Sequence, residues 1–597
     1  MSIPSPVQSS TTPVKHKTKA VFWRERFSRA LPWLVILGAF TWSLYMVTRT
    51  HATVSGGSGF KVLHLGHSQL EPMVRVGLDQ MIKEFEEIHP DVRIVQEVIP
   101  PQAYAQWLST QLISGKALDI LQDSGTLIPS VKLSYFARYF IPLTQYVFRP
   151  NPYNKGTELE NVPWYKTYWD EMRLSYSFEL QEYMSIPLSQ FGSRVAVNLD
   201  LLKKLTGSDS PPTDYREFIK VCKQIREQKN PQGKSYIAIA VSQYDWGSWD
   251  GNMASYLDAP LNLVPDFYYS GVPNEYSIYV GFRAGLFSLM DPCVVARFKV
   301  AKEIADQCQT GFIGLTRPEA VFNFIQQRAV FMSCGSNELG GLMEQCKGVF
   351  NMKIIDYPRI NSQDPVFGSC ALGPPVEVSL SGFAFVVARN SSQPDLAVEF
   401  LQFLGSQKNN ERLNKAIGWL PAVEGSNISE TLLPYKPHVQ GMLGVGSNSS
   451  WGKGFFIGVD SSIKWSQLYP RFLIGDLSYE EFAKEMSEYY RGEVSEVGFK
   501  QEFLKKLQGR VNSQRAMIGR LIKGLDAPED DREFMYGMYA RELNTLTVRG
   551  IQRSVDQEVF QHPENYSHEI LAHYTPEAIQ AIHRLQASHS QASEKPH

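Results

Sequence analysis

The chain lacks the features that announce a catalyst or a metal protein. Its 597 residues hold only six cysteines, Cys222, Cys293, Cys308, Cys334, Cys346 and Cys370. None forms a CxxC and none sits beside a close histidine pair, which argues against a zinc site. There is no GxSxG elbow, no GxxxxGK[ST] phosphate loop and no HExxH helix. Serine-hydrolase, nucleotide-hydrolase and zinc-peptidase chemistry therefore have no obvious carrier. Acidic pairs such as Glu86-Glu87 and Glu480-Glu481 fall on helix surfaces, where solvated faces are the plain explanation. No enzymatic activity, cofactor or catalytic residue is expected. Charge of one sign is also missing: the formal net charge is -2, so no broad basic field exists to neutralise phosphates and nucleic acid is not a partner.

Long hydrophobic runs are nearly absent as well, with one exception. From Ala30 to Val47 the chain reads ALPWLVILGAFTWSLYMV without a charge. At about 1.5 Å of rise per residue this is just long enough to cross a bilayer. Trp33, Trp42 and Tyr45 suit its interfacial ends, and the basic residues Lys15, Lys17, Lys19, Arg24, Arg26 and Arg29 precede it. The positive-inside rule then keeps residues 1–29 in the cytoplasm and exports the remainder of the chain. We read 30–48 as an uncleaved, single-pass signal anchor in the cell inner membrane, with the bulk of the chain in the periplasm or outside the cell. The alternative is a signal peptide cut near Thr50-His51-Ala52. Residues 49–60 make a short linker rich in Gly and Ser.

The rest is an ordinary globular composition, 43% hydrophobic and 12% aromatic, with 28 Tyr and 11 Trp. Beyond the linker, strands and helices alternate, the mark of an α/β fold. Strands are predicted at Lys61–Leu65, Val92–Val98, Leu118–Leu121, Val195–Asn198, Ile237–Val241, Ala329–Ser333 and Phe383–Ala388. Helices are predicted at Met73–His89, Tyr104–Ser114, Pro211–Arg226, Pro292–Gln309, Arg317–Gln327 and Pro394–Leu404. Gly115 should terminate the second helix. The segment 148–182, rich in Tyr, Trp, Pro and Asn, is expected to be an insertion or long loop, and 246–279 is aromatic and rich in Gly and Pro. In a parallel sheet begun this way, ligands lie beyond the carboxyl ends of the strands. After Tyr490 the character changes to charged amphipathic helices (Gly498–Leu525 and Arg532–Val559). These give a helical extension over 491–587 and a polar tail over 588–597.

Across 61–490 an ordered set of segments resembles the extracellular solute-binding proteins of ABC importers, in particular the large sugar-binding family that includes maltose-binding protein. Phe85 through Val92 resembles its helix-Pro-strand element. Ser114-Gly115-Lys116-Ala117-Leu118-Asp119-Ile120 resembles its SGxxPD(V/I) passage, with Leu118 in place of Pro. Pro187 through Asn198 resembles the first crossing between lobes, with Val197 replacing an aromatic. Pro211-Pro212-Thr213-Asp214-Tyr215-Arg216-Glu217-Phe218 is similar to a PPxTxxEF helix start. Arg328 through Met332, Ser381-Gly382-Phe383-Ala384, Ala397 through Leu404 and Gly418-Trp419-Leu420-Pro421-Ala422 follow in the family's order.

The resemblance implies a two-lobed, type II periplasmic-binding-protein-like fold, closing on a ligand held between the lobes. It also implies a small-molecule solute, carbohydrate favoured, and ABC permease membrane subunits as partners. Carried over by position, the ligand contacts are His64, Gly66, His67 and Ser68 after the first strand, and Asp123 and Ser124 after the third. Gln190 and Phe191 lie in the crossing. Tyr244, Trp246 and Trp249 form an aromatic cluster suited to stacking on a sugar. Gly335, Ser336 and Asn337 occupy the family's ligand loop, with Asn337 standing where a Trp is usual, which admits a more polar ligand. Trp419 is a further stacking candidate. His64 and His67 are spaced poorly for a metal. The same clamp could instead serve a membrane-tethered sensor or scaffold, which the anchor and the extension would suit.

Overall fold

Strands in this chain are set by runs of buried β-branched and aliphatic residues. In a computed structural model, residues 60–123, 129–177, 180, 182–263, 275–283, 285–371, 377–437, 443–444 and 458–501 are described. The strands are β1 (Lys61–His67), β2 (Val92–Val98), β3 (Ile120–Gln122), β4 (Tyr176–Ser177), β5 (Glu182–Tyr183) and β6 (Ile186–Asn198). They continue as β7 (Ile237–Ala240), β8 (Ala329–Gly335), β9 (Met352–Ile355), β10 (Glu377–Val387), β11 (Leu420–Pro421) and β12 (Leu443–Gly444). One mixed sheet runs in the order β2-β1-β3-β10-β6-β8-β7, with β9 and β11 also on β6 and β12 on β10; β4 and β5 pair separately. β1 is parallel to β3 and β7 is parallel to β8, while β10 runs antiparallel to β3 and β6, and β6 antiparallel to β8.

Two compact units are described. In residues 60–63 with 86–95, Lys61 Nζ lies 3.1 Å from Asp91, the Arg93 guanidinium covers Phe60, and Glu86 accepts from the Ile94 N–H. In the other unit, 64–85 with 96 onward, the described residues include several clusters of buried residues. One cluster joins Ile99, Tyr104, Leu108, Leu121, Phe140 and Val386. The largest gathers Val195, Phe218, Trp249, Val294, Phe298, Trp465 and Phe482. Around Phe298 the rings of Trp465, Tyr469, Tyr479 and Phe482 lie 5.5–6.2 Å away. The helices Gly458–Ile474 and Tyr479–Arg491 thereby share one core with the helix Pro292–Ala305. Phe499, past the expected boundary at 490, is buried against Tyr279 at 5.0 Å.

Several helices start and stop on local chemistry. Asp214 accepts from the N–H groups of Arg216 and Glu217, so that helix begins at Tyr215 and not at Pro211. Thr316 and Glu319 form a capping box for Arg317–Ile325, and Gly115 ends Pro101–Ser114 at φ 70°. The aromatic, Gly- and Pro-rich segment 246–279 contains the helices Trp246–Met253 and Ser255–Leu263 and the start of Glu275–Arg283. Its aromatics bury themselves against the largest cluster, which outweighs the weak helix propensity of Gly and Asn there. Segment 148–182 is also packed down: Trp164 is buried and its indole donates to the Gly405 carbonyl at 3.1 Å.

The expected strand at Val195–Asn198 is the end of a thirteen-residue strand that begins at Ile186. Its first half, Ile186–Gly192, lies between β10 and β11; its second half, Ser193–Asn198, lies between β8 and β9. β6 therefore passes from one set of partners to the other between Gly192 and Ser193. This mixed sheet with flanking helices fits a two-lobed solute-binding fold. Among the described residues no helix is long and apolar enough to cross a membrane, and the segment 30–48 lies outside them.

Candidate functional site

The change of partners along β6 puts three kinds of group near one stretch of backbone. Gln190 and Phe191 stand just before it, and Gly192 and Ser193 are at it. The N–H of Gly192 donates to Ser336 Oγ at 3.2 Å and its carbonyl accepts from the Ser336 N–H at 2.9 Å. The loop after β8 is thus locked to the crossing strand, with Ser336 fully buried as a structural tie and the neighbouring Asn337 exposed.

On the β10 side an aromatic group forms. Trp419 meets Phe191 edge-on (5.3 Å, 75°) and Phe383 likewise (5.3 Å, 82°), and Phe383 continues to Phe385 at 4.9 Å. Trp419 is only 4% exposed, so it packs under the turn and supports Phe191, which is the partly exposed member of the pair. Phe383 has φ 49°, the left-handed region that a bulky residue rarely occupies. Its ring points towards His67 at 6.2 Å. Gln190 is buried; its side-chain oxygen accepts from Ser381 Oγ at 3.1 Å, and that hydroxyl also lies 2.7 Å from Asp170. Burial raises the Asp170 carboxyl above the ordinary carboxylate range.

At the carboxyl ends of the parallel strands β1 and β3 the polar groups are mostly engaged. The Ser68 N–H donates to Gln122 Oε1 at 2.8 Å. Asp123 is paired with Lys132 at 2.7 Å. His64 is half-buried with Nδ1 3.3 Å from Glu97, a hydrogen bond that raises its pKa above 6.5. His67 differs from the expected ligand contact. β1 runs two residues beyond its expected end at Leu65 and carries His67 into the interior. Its Nδ1 accepts from the Gln69 N–H, and its Nε2 lies 2.6 Å from Gln96 Oε1, which defines the neutral Nε2–H tautomer. Burial lowers its pKa to match. Ser124 lies outside the described residues.

The ends of β7 and β8 carry the second set. Tyr244 is 75% exposed, whereas Trp246 is partly buried and tilted against Phe312 at 5.2 Å. Trp249 is wholly buried, stacked on Phe218 (5.9 Å, 24°) and edge-on to Tyr357 (5.1 Å, 87°). Helical spacing turns it inward, so it belongs to the core. Tyr357 in turn hydrogen-bonds Ser193 on the crossing strand at 2.8 Å. Gly335 ends β8, and a Cβ there would come within 2.6 Å of Asn337 Oδ1 and push that exposed side chain aside.

Three residues of this region are not legible in the sequence. Phe383 sits in the family-like segment Ser381-Gly382-Phe383-Ala384, but nothing in it reveals a positive φ. Glu338 and Arg317 look like ordinary helix-start charges; in the fold, Arg317 donates to Glu338 and Asp245. Among the described residues no group of three or more His, Cys, Asp or Glu could hold a metal ion.

Solved structures of similar shape include a protein from a study of xylan utilization by Caldanaerobius polysaccharolyticus. It is 18% identical with TM-score 0.49, the match covering 72% of this chain and 100% of that one. The apo form of RafE from Streptococcus pneumoniae is 14% identical, TM-score 0.49, covering 73% and 99%. The sugar-binding protein MalE from Xanthomonas citri is 13% identical, TM-score 0.49, covering 75% and 99%. No curated protein sequence matches the chain. The sequence profile described as bacterial extracellular solute-binding protein matches residues 80–436, more than half the chain, from the helix Pro72–Ile88 to just past Tyr435. That stretch contains β3, the ends of β7 and β8, the crossing strand and the aromatic group on β10, so the chain belongs to the bacterial extracellular solute-binding protein family, whose members are binding proteins and not enzymes.

Proposed function

We propose that the chain is the extracytoplasmic solute-binding component of an ABC importer, taking a mono- or oligosaccharide between its two lobes and delivering it to a membrane permease. The observation that carries this reading is β6: a single strand that changes partners at Gly192–Ser193, with Phe191 on one side and the loop Gly335–Asn337 tied to it on the other. A strand shared by two sheet halves is where a hinge can store two arrangements, and bound solute supplies the free-energy difference that selects the closed one.

The proposed contacts are Phe191, Trp246 and Tyr244 for the apolar face of a sugar, with His64, Ser68, Asp123, Ser124 and Asn337 for its hydroxyls. Gln190, Ser336, His67, Trp249 and Trp419 act behind them by holding those groups in place. Residues 30–48 anchor the chain, and the binding domain begins at 61 and runs past the expected boundary at 490 to take in Phe499, while the extension beyond 501 lies outside the described residues.

The test is ligand-induced stabilisation of the full chain in detergent micelles, against neutral sugars, polyols, amino acids, peptides and metal ions. A ligand at a hundredfold excess over its Kd adds about 2.7 kcal/mol to the native state. A shift confined to one carbohydrate class, and lost in Tyr244→Ala or Trp246→Ala, supports the reading; a shift only with amino acids or peptides rejects the carbohydrate assignment. The second reading, a tethered sensor or scaffold, is favoured by the charged extension after Tyr490, which a delivery protein does not need. Copurification from membranes with two permease subunits separates import from sensing.

A further inference from the structure

We propose that Arg317 is the positioning residue of the second ligand loop pair: by clasping Asp245 and Glu338 it sets the spacing of Tyr244 and Asn337, and with it which solutes that half of the site accepts. The proposal rests on the solute-binding function proposed for this site and adds the residue that fixes its specificity.

Asp245 and Glu338 do the same local job. Asp245 Oδ1 accepts from the Ser242 N–H at 2.7 Å, and Glu338 Oε2 accepts from the Gly335 N–H at 3.1 Å. Each carboxylate therefore closes its own turn onto the residue three positions earlier, one turn after β7 and one at the end of β8. The residue just before each carboxylate is the one left outside: Tyr244 is 75% exposed, and Asn337 is exposed.

Arg317 joins the two turns. Its Nε donates to Glu338 Oε1 at 3.1 Å and its Nη2 to Glu338 Oε2 at 2.7 Å, a two-pronged grip. Nη2 also reaches the Ser333 carbonyl at 2.7 Å. Nη1 donates to Asp245 Oδ2 at 3.0 Å, with Ser333 Oγ at 3.4 Å. Ser333 Oγ itself donates to Asp245. The guanidinium's five donors lie in one plane at fixed angles, so the two carboxylates cannot drift independently. Lysine, a point charge on a flexible stem, would keep the charge and lose the angle.

The same contacts bear on ligand charge. Two carboxylates surround one guanidinium that is 18% exposed, leaving the group with one net negative charge. Arg317 is thus engaged by the protein and not offered to an anionic solute, and the loops present an aromatic ring and an amide, which suit a neutral polyhydroxylated ligand.

A crosslink that merely stabilised the fold would act regardless of Tyr244 and Asn337, and a double-mutant cycle distinguishes the cases. Maltose, raffinose and xylobiose are titrated calorimetrically into the full chain in micelles. Arg317→Lys should weaken the tightest of the three by about tenfold and change the ratio of affinities among them. In a Tyr244→Ala/Asn337→Ala background the same substitution should change affinity by less than about twofold, because the groups it positions are gone. Hydrogen exchange at the Ser242 and Gly335 amides should quicken together in Arg317→Lys while the helices keep wild-type protection, which shows that the fold survives. An undiminished tenfold loss in the double-alanine background, or wild-type affinity and exchange in Arg317→Lys, overturns the proposal. If the double-alanine chain binds all three sugars like the wild type, or the wild type binds none, the site reading itself falls and this one with it.

Discussion

The link between Cys293 and Cys370 offers a sharp test of the fold and of the compartment together. Cys293 sits in the first turn of the helix Pro292–Ala305 and Cys370 ends the turn Gly368–Cys370; their sulfurs are bonded with Cα atoms 5.3 Å apart. The bond closes a loop of 77 residues. In the chain-entropy account, a loop of that length removes about 15 cal/mol/K from the unfolded ensemble, or about 4.5 kcal/mol at 25 °C. Spread over a cooperative unit of roughly 400 residues, whose unfolding entropy is about 0.8 kcal/mol/K, that corresponds to a fall in Tm of about 5 °C. The perturbation is the Cys293→Ala/Cys370→Ala double variant, compared with the wild type with and without reductant. Thiol titration accompanies it: Cys222, Cys308, Cys334 and Cys346 are buried and reduced, so the unfolded, unreduced chain should show four thiols and the reduced chain six. A Tm change below about 1 °C, or six thiols before reduction, refutes the pairing. With the pairing goes the inference that the domain matures in an oxidising compartment, where disulfides form and persist.

Other outcomes depend on individual side chains. Trp249→Ala empties a fully buried indole site and should cost about 3–5 kcal/mol in urea unfolding; Trp246→Ala, at a partly buried ring, should cost less than half of that and reduce sugar affinity, and equal stability losses would contradict the assignment of Trp249 to the core. Arg297 is wholly buried and grips Asp250 through two bonds of 2.7 and 2.8 Å while also reaching Asp258; Arg297→Met strands two buried carboxylates and should cost about 3–5 kcal/mol, and a neutral result would show that water reaches them. The two histidines on β1 should pull stability in opposite directions with pH. His67, with its pKa lowered by burial, takes up a proton more readily when unfolded, so stability falls as pH drops below about 6.5 and His67→Gln should flatten that decline. His64, with its pKa raised by Glu97, contributes fully below about 6.5 and loses that contribution as pH rises through its folded value, so His64→Gln should flatten the alkaline-side change. Thermal unfolding from about pH 5 to 8.5 reads both, and unchanged slopes in both variants would sink the linkage.

Local pattern made some elements legible in the sequence. The helices Pro394–Leu404 and Pro101–Ser114 follow apolar spacing, and Gly115 stops the latter where a left-handed residue is needed. The crossing strand resisted the same treatment because its polar residues find their partners at a distance. Ser189 donates to Asn414 at 2.7 Å, the Leu188 carbonyl accepts from both Asn410 and Asn414, and Arg194 donates to the Pro434 carbonyl at 2.8 Å. Those partners lie more than 200 residues away in sequence, so Ser189, Gln190, Gly192, Ser193 and Arg194 look like a loop until the fold supplies their bonds. The same non-locality separates the three aromatics of QYDWGSW. They are alike in type, yet Tyr244 precedes the helix Trp246–Met253 and faces out, whereas Trp249, one helical turn after Trp246, faces Phe218. Residue type alone puts a ring at the end of β7, but not which ring. That choice depends on where the helix starts, and the turn that starts it is closed by Asp245, held in place by an arginine on another helix. If the clasp sets the turn and the turn sets the ring, then specificity at this end of the sheet is written in Ser242, Asp245, Arg317 and Glu338, residues with no apparent ligand chemistry of their own, at least as much as in Tyr244.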